Sequence, residues 1–94
     1  MPDKNNDIVK SFTIRNTLGL HARAASAFVK IANRFQSEIL VRKDDAEVNG
    51  KSIMGVLMLA AAQGTEIAIT ARGGDASEAL DALGRLIDDK FGEN

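Results

Sequence analysis

Asn16-Thr17-Leu18-Gly19-Leu20-His21-Ala22-Arg23-Ala24-Ala25-Ser26 is where one backbone pattern gives way to another. Before it, Ile8-Val9-Lys10-Ser11-Phe12-Thr13-Ile14 alternates and is rich in β-branched residues, which predicts a strand with Phe12 and Ile14 inward. After it, Ala25, Phe28, Val29 and Ala32 fall at i, i+3, i+4 and i+7. That is one face of an amphipathic helix running from residue 22 to about residue 34. Gly19 allows the turn between the two. The stretch is a β-to-α junction, and His21 stands where the helix begins.

The remaining chain continues in the same style. Glu38-Ile39-Leu40-Val41-Arg42 reads as a second strand, Lys43-Asp44-Asp45 as a turn, and Ala46-Glu47-Val48 as a short third strand. Ser52 occupies an N-cap position ahead of Ile53-Met54-Gly55-Val56-Leu57-Met58-Leu59, a short helix closed by Gln63-Gly64. Thr65-Glu66-Ile67-Ala68-Ile69-Thr70-Ala71 alternates cleanly as a fourth strand. Asp75 or Ser77 starts a last helix whose inward face is Ala79, Leu80, Leu83, Leu86 and Ile87.

The element order is β-α-β-β-α-β-α, an α+β fold. Each helix has an apolar face, which suits a four-stranded, mainly antiparallel sheet carrying three helices on one side. Strand order is left open, because a ferredoxin-like arrangement and an open-faced sandwich of different order both fit. Residues 1–94 form a single domain, with flexible ends expected at 1–7 and 92–94.

Composition removes several classes of function. Twelve basic against thirteen acidic side chains give a net charge of −1, so no basic excess serves nucleic acid. Four phenylalanines are the only aromatics, which leaves little for base stacking. With no cysteine, disulfides, thiolate metal sites and thiol catalysis are excluded. A single histidine excludes a histidine-based metal cluster within one chain, and no cofactor motif is visible. The polar start Met1-Pro2-Asp3-Lys4-Asn5-Asn6-Asp7 lacks the apolar core of a signal peptide, and no run approaches the roughly 18 apolar residues of a membrane span. A cytoplasmic protein without membrane insertion is expected.

Against that background His21 and Arg23 stand out. Leu20, Ala22 and Ala24 offer no acid or hydroxyl for a hydrolytic dyad. A helix N-terminus disfavours added positive charge, which suits an imidazole acting as a nucleophile. Arg23 is always cationic and can fork onto phosphate oxygens. A neutral imidazole that attacks phosphorus becomes a phosphohistidine, whose charge Arg23 and the helix amides then stabilise. The competing reading is a cap histidine with no task.

In the second helix, Ile53, Met54, Val56, Leu57, Met58 and Leu59 cover almost the whole circumference. A helix on one side of a sheet cannot bury them all, so an exposed apolar patch is expected, which marks a partner surface. A more deeply sunk helix is the alternative. Gly50-Lys51-Ser52 has the ending of a P-loop, but residue 45 is Asp where that motif needs glycine.

Gly19-Leu20-His21-Ala22-Arg23-Ala24-Ala25, with Asn49-Gly50-Lys51-Ser52-Ile53-Met54-Gly55-Val56 about thirty residues further on, strongly resembles the HPr family. These are the histidine phosphocarriers of the phosphoenolpyruvate-dependent phosphotransferase system. The resemblance runs from about residue 8 to residue 91 and implies an open-faced β-sandwich. It implies that enzyme I phosphorylates His21 at Nδ1, that Arg23 stabilises the phosphate, and that IIA proteins or domains receive it. Ser52 matches the serine modified by a dedicated kinase/phosphorylase in many bacteria. Leu20, Ala22, Ile53, Met54 and Leu57 match the partner-docking surface.

The implied protein is a monomeric phosphoryl carrier, not an enzyme. Two departures are visible. Ala24 stands where the family usually has proline, and Ala60 where glycine is common, which would extend the second helix slightly. Two rivals remain at this point: a nitrogen-type paralogue acting in regulation, and a binding module that never carries phosphate. The segment Ser52-Ile53-Met54 favours the sugar-type carrier, and the pairing of His21 with Arg23 favours a carrier over a pure binding module.

Overall fold

The computed structural model describes residues 7–93. The flexibility expected of residues 1–6 and of Asn94 concerns positions outside the described residues. Four strands form one sheet: β1 (Asp7–Thr13), β2 (Glu38–Lys43), β3 (Ala46–Asn49) and β4 (Glu66–Arg72). Three helices, α1 (Ala22–Ala32), α2 (Ile53–Met58) and α3 (Ala76–Asp88), follow in the expected β-α-β-β-α-β-α order. A final turn covers Lys90–Gly92.

The strand order is β1-β4-β2-β3, with every neighbouring pair antiparallel. β1 runs against β4 from Asp7 opposite Arg72 to Thr13 opposite Glu66, and β2 pairs with β4 from Glu38 opposite Arg72. This resolves the order that periodicity left open, in favour of the open-faced sandwich. Asp7, expected in a loose lead segment, begins β1, and its carboxylate accepts a hydrogen bond from Arg72 Nε at 2.8 Å.

Alternation places Ile39 and Val41 of β2, and Ile67, Ile69 and Ala71 of β4, on the covered face. Ala25, Phe28 and Ala32 of α1, Val56 of α2, and Leu80, Leu83 and Ile87 of α3 close over them. Ile14 is fully buried, whereas Phe12 is only half-buried beneath α3. The contact is tight there: a β-carbon on Gly84 would stand 2.8 Å from Phe12 Cε1.

Three element ends differ from expectation. α1 stops two residues early, where Asn33 Nδ2 donates to the Val29 carbonyl at 2.9 Å and competes with further helical turns. α2 is shorter than predicted rather than extended at Ala60. Ala60 adopts φ of 49°, a left-handed backbone that cannot continue the helix, and Lys43 Nζ donates to the freed Leu59 carbonyl at 3.1 Å. Asp75 does precede α3, but its side chain does not cap it. Its carboxylate accepts from the amides of Gln36 and Ser37, both at 2.9 Å, and from Ser37 Oγ, tying the approach to β2 to the approach to α3.

Candidate functional site

The junction loop is built by backbone closure and one buried amide. Ile14 N–H donates to the Thr65 carbonyl at 2.9 Å, and Leu20 N–H to the Ala61 carbonyl at 2.9 Å, so the loop is fastened at both ends to the segment before β4. Between them Asn16 is fully buried. Its Nδ2 donates to the Gly19 carbonyl at 2.8 Å, while Gly19 N–H donates to the Asn16 carbonyl at 3.1 Å. Gly19 takes φ of 67°, the left-handed region that favours glycine.

That loop delivers His21 to the N-cap of α1 with extended backbone, φ −78° and ψ −177°. The first helical bond runs from Ala25 N–H to the His21 carbonyl at 2.8 Å, so the amides of residues 22–24 have no acceptor within the helix. The imidazole does not cap them. An anion arriving beside His21 therefore meets open N–H donors, the positive end of the helix and the Arg23 guanidinium. Thr17, Leu18, His21, Ala22, Arg23 and Glu93 line a depression of about 620 Å³ at this point.

Glu93 is the member that periodicity missed. Its Oε2 lies 2.7 Å from His21 Nε2, and its Oε1 accepts from Asn16 Nδ2 at 3.0 Å. The hydrogen bond from Asn16, then that from His21, with the fields of His21 and Arg23 behind them, hold the Glu93 carboxyl below its usual range against the opposing effect of burial. Glu93, within the segment where fraying is expected, makes specific side-chain contacts. No hydrophobic pattern marks Glu93, because its role depends on a contact 72 residues away in sequence.

The second motif forms a separate feature. Ser52 Oγ accepts from Gly55 N–H at 3.1 Å, the N-cap bond that its position predicts. Of the apolar helix that follows, Val56 and Leu59 are buried and Leu57 is half-buried, whereas Ile53, Met54 and Met58 are exposed, Met54 by 65% and Met58 by 76%. The helix is therefore the partly exposed kind. Leu20, expected on the docking surface, is instead in the core at 4% exposure, because its amide anchors the loop to Ala61 and turns the side chain inward. Ala22 is exposed. Leu18, not singled out by the pattern, is exposed and lines the depression beside His21.

A sequence model described as "PTS HPr component phosphorylation site" matches residues 8–89. The chain belongs to the HPr family. The phosphocarrier protein HPr of Neisseria meningitidis is 54% identical over 84 residues, spanning 89% of this chain and 94% of that protein. The crystal structure of HPr-C-His from Thermoanaerobacter tengcongensis superposes with a TM-score of 0.90 at 46% identity, covering 93% of this chain and 98% of the other. HPr from Bacillus anthracis gives 0.85 at 44% identity, with 88% and 99% covered. As an HPr-family chain it is a phosphocarrier of the phosphotransferase system rather than an enzyme. Among the described residues, no helix is long and apolar enough to cross a membrane.

Proposed function

We propose that His21 is the residue that carries the phosphoryl group, taken from phosphorylated enzyme I and passed to a IIA protein or domain in the cytoplasm. The supporting observation is one arrangement: His21 at the uncapped start of α1, with Arg23 lining the same depression. In loading, a ring nitrogen of His21 bonds to phosphorus as the bond from phosphorus to enzyme I breaks and its electron pair stays with enzyme I. The amides of residues 22–24 with Arg23 offset the charge of the bound phosphate. Nothing else in the transfer requires a group from this chain to be consumed, so the protein is regenerated when the acceptor takes the phosphoryl group.

Ala24 bears on the rate. It is fully buried in the first turn of α1, and in place of proline it keeps one more amide donor for phosphate while leaving the turn less pre-organised. The carrier role is retained and transfer rates are altered. Ile53, Met54 and the half-buried Leu57, with Ala22 beside His21, form the docking surface in this reading. Ser52, beside them, is the site at which a serine kinase/phosphorylase adds a regulatory charge. The chain acts as a monomer, a single domain over residues 1–94, and the Ser52-Ile53-Met54 segment slightly favours the sugar-type carriers over the nitrogen-type paralogue.

The test is incubation with enzyme I and labelled phosphoenolpyruvate. Acid-labile, base-stable label on His21 is expected; none should appear in His21→Ala, and Arg23→Ala should accept label slowly. Absence of label where another HPr is labelled in parallel would sink the reading.

A further inference from the structure

One ring nitrogen of His21 is already engaged. Nε2 lies 2.7 Å from Glu93 Oε2, with the His21 side chain 30% exposed and that of Glu93 14% exposed. The Glu93 carboxylate is held in turn. Its other oxygen accepts from Asn16 Nδ2 at 3.0 Å, and the same nitrogen donates to the Gly19 carbonyl at 2.8 Å. Facing two oxygens, that end of the Asn16 amide must be the nitrogen, while Asn16 Oδ1 finds no partner among the described residues.

The backbone that brings Glu93 here is unusual. Lys90, Phe91 and Gly92 take positive φ angles of 57°, 56° and 77°, a run that non-glycine residues resist. Phe91 is buried, so the turn is anchored in the core on one side and by the Asn16–Glu93–His21 contacts on the other.

A carboxylate only accepts, and the bonds to Glu93 favour its ionised form. The hydrogen in the contact therefore belongs to Nε2. A neutral imidazole has a single N–H, so its lone pair lies on Nδ1.

We propose that Glu93 is a positioning residue for phosphoryl transfer: by holding the proton on His21 Nε2 it reserves Nδ1 as the nitrogen that gains and loses the phosphoryl group. This rests on the reading of His21 as the phosphoryl acceptor. In loading, the Nδ1 lone pair forms the bond to phosphorus as the bond to the donor's leaving atom breaks and its electron pair departs with the donor. The ring becomes a phosphoimidazolium whose Nε2–H stays on Glu93, and the carboxylate neutralises the new positive charge. In unloading, the Nδ1–P bond breaks toward the acceptor, the pair returns to Nδ1, and the neutral Nε2–H tautomer is restored. No proton has to move in either direction.

The test combines nitrogen-15 NMR of the His21 ring with loading by enzyme I and labelled phosphoenolpyruvate. Wild type, Glu93→Ala, Glu93→Gln and a chain ending at Gly92 are compared, with backbone amide spectra away from the site as the control for folding. Wild type is expected in the Nε2–H tautomer. In Glu93→Ala and the shortened chain, the Nδ1–H tautomer gains population and loading slows on the order of tenfold, the factor one charge-assisted hydrogen bond carries. Glu93→Gln falls between, because its one acceptor oxygen cannot serve both Asn16 and His21. Equal tautomers and equal rates in all four proteins overturn the proposal while leaving the carrier reading intact. Faster loading in Glu93→Ala also overturns it, since that marks an anion competing with phosphate. No label on wild type overturns both.

Discussion

A β-carbon on Gly19 would stand 2.5 Å from the carbonyl oxygen of Ala61. The same oxygen accepts the Leu20 amide at 2.9 Å, so the loop that presents His21 rests directly on the segment following α2. Gly19→Ala meets two penalties there, the clash and a φ of 67°. Left-handed strain and forced displacement together predict destabilisation on the order of 2–3 kcal/mol, read by urea unfolding. The displaced loop also moves His21, so the folded fraction should load phosphate more slowly. A variant as stable as wild type would show that the loop yields without cost.

The sheet was largely legible in the chain because its signals are local. Ile67, Ile69 and Ala71 alternate with Glu66, Ala68 and Thr70, and the alternation alone assigns their faces. Ser52 was legible as a cap for the same reason. Strand order was not, since β1 meets β4 through pairings such as Phe12 with Ile67 that no local pattern encodes. Leu20 misled because a leucine beside His21 suits a surface or a core equally, and a backbone bond to Ala61 decides it. Glu93 was invisible: one acid near a polar end carries no periodicity, and its meaning arises only when Asn16 and His21 are brought to it.

Ala60 identifies a position where the chain is not at its most stable. Its φ of 49° ends α2 in a conformation that suits glycine. Ala60→Gly removes the β-carbon strain but loosens the unfolded chain, leaving a net gain of about 0.5–1 kcal/mol. Thermal unfolding should show a rise of several degrees. An unchanged or lower melting temperature would mean that the Lys43 bonds to the Leu59 and Ala60 carbonyls already compensate for the strain.

Ser52 caps α2 through its hydroxyl oxygen, the atom that a regulatory phosphate would occupy in the proposed reading. Ser52→Ala deletes the acceptor for Gly55 N–H and should cost about 1 kcal/mol in unfolding experiments, typical of a lost N-cap. Ser52→Asp retains an acceptor at that place and adds negative charge near the exposed Ile53 and Met54. It should preserve stability while weakening capture by enzyme I, measured as a higher KM in the loading assay. If the aspartate variant loads as well as wild type, charge at this position is not the switch.

Asp75 predicts how stability responds to acid. The hydrogen bond from Ser37 Oγ and those from the Gln36 and Ser37 amides hold its carboxyl below the usual range, against a smaller opposing effect of burial. In the unfolded chain the same group titrates near its ordinary value of about 3.9. As pH falls through that value, the unfolded state binds a proton before the native state does, so stability drops with falling pH. The contribution is complete above the ordinary carboxylate range and disappears once pH passes below the native value. Glu93 adds a second contribution of the same sign, so the Asp75 share is isolated by comparison with Asp75→Asn, whose amide offers one acceptor oxygen and does not titrate. Melting temperatures of the two proteins should differ most at pH 7 and converge as pH falls through the lowered native range of Asp75, where the native carboxylate is protonated too. A gap that stays constant across that range would assign the Asp75 effect to packing against Ser37 rather than to the charge.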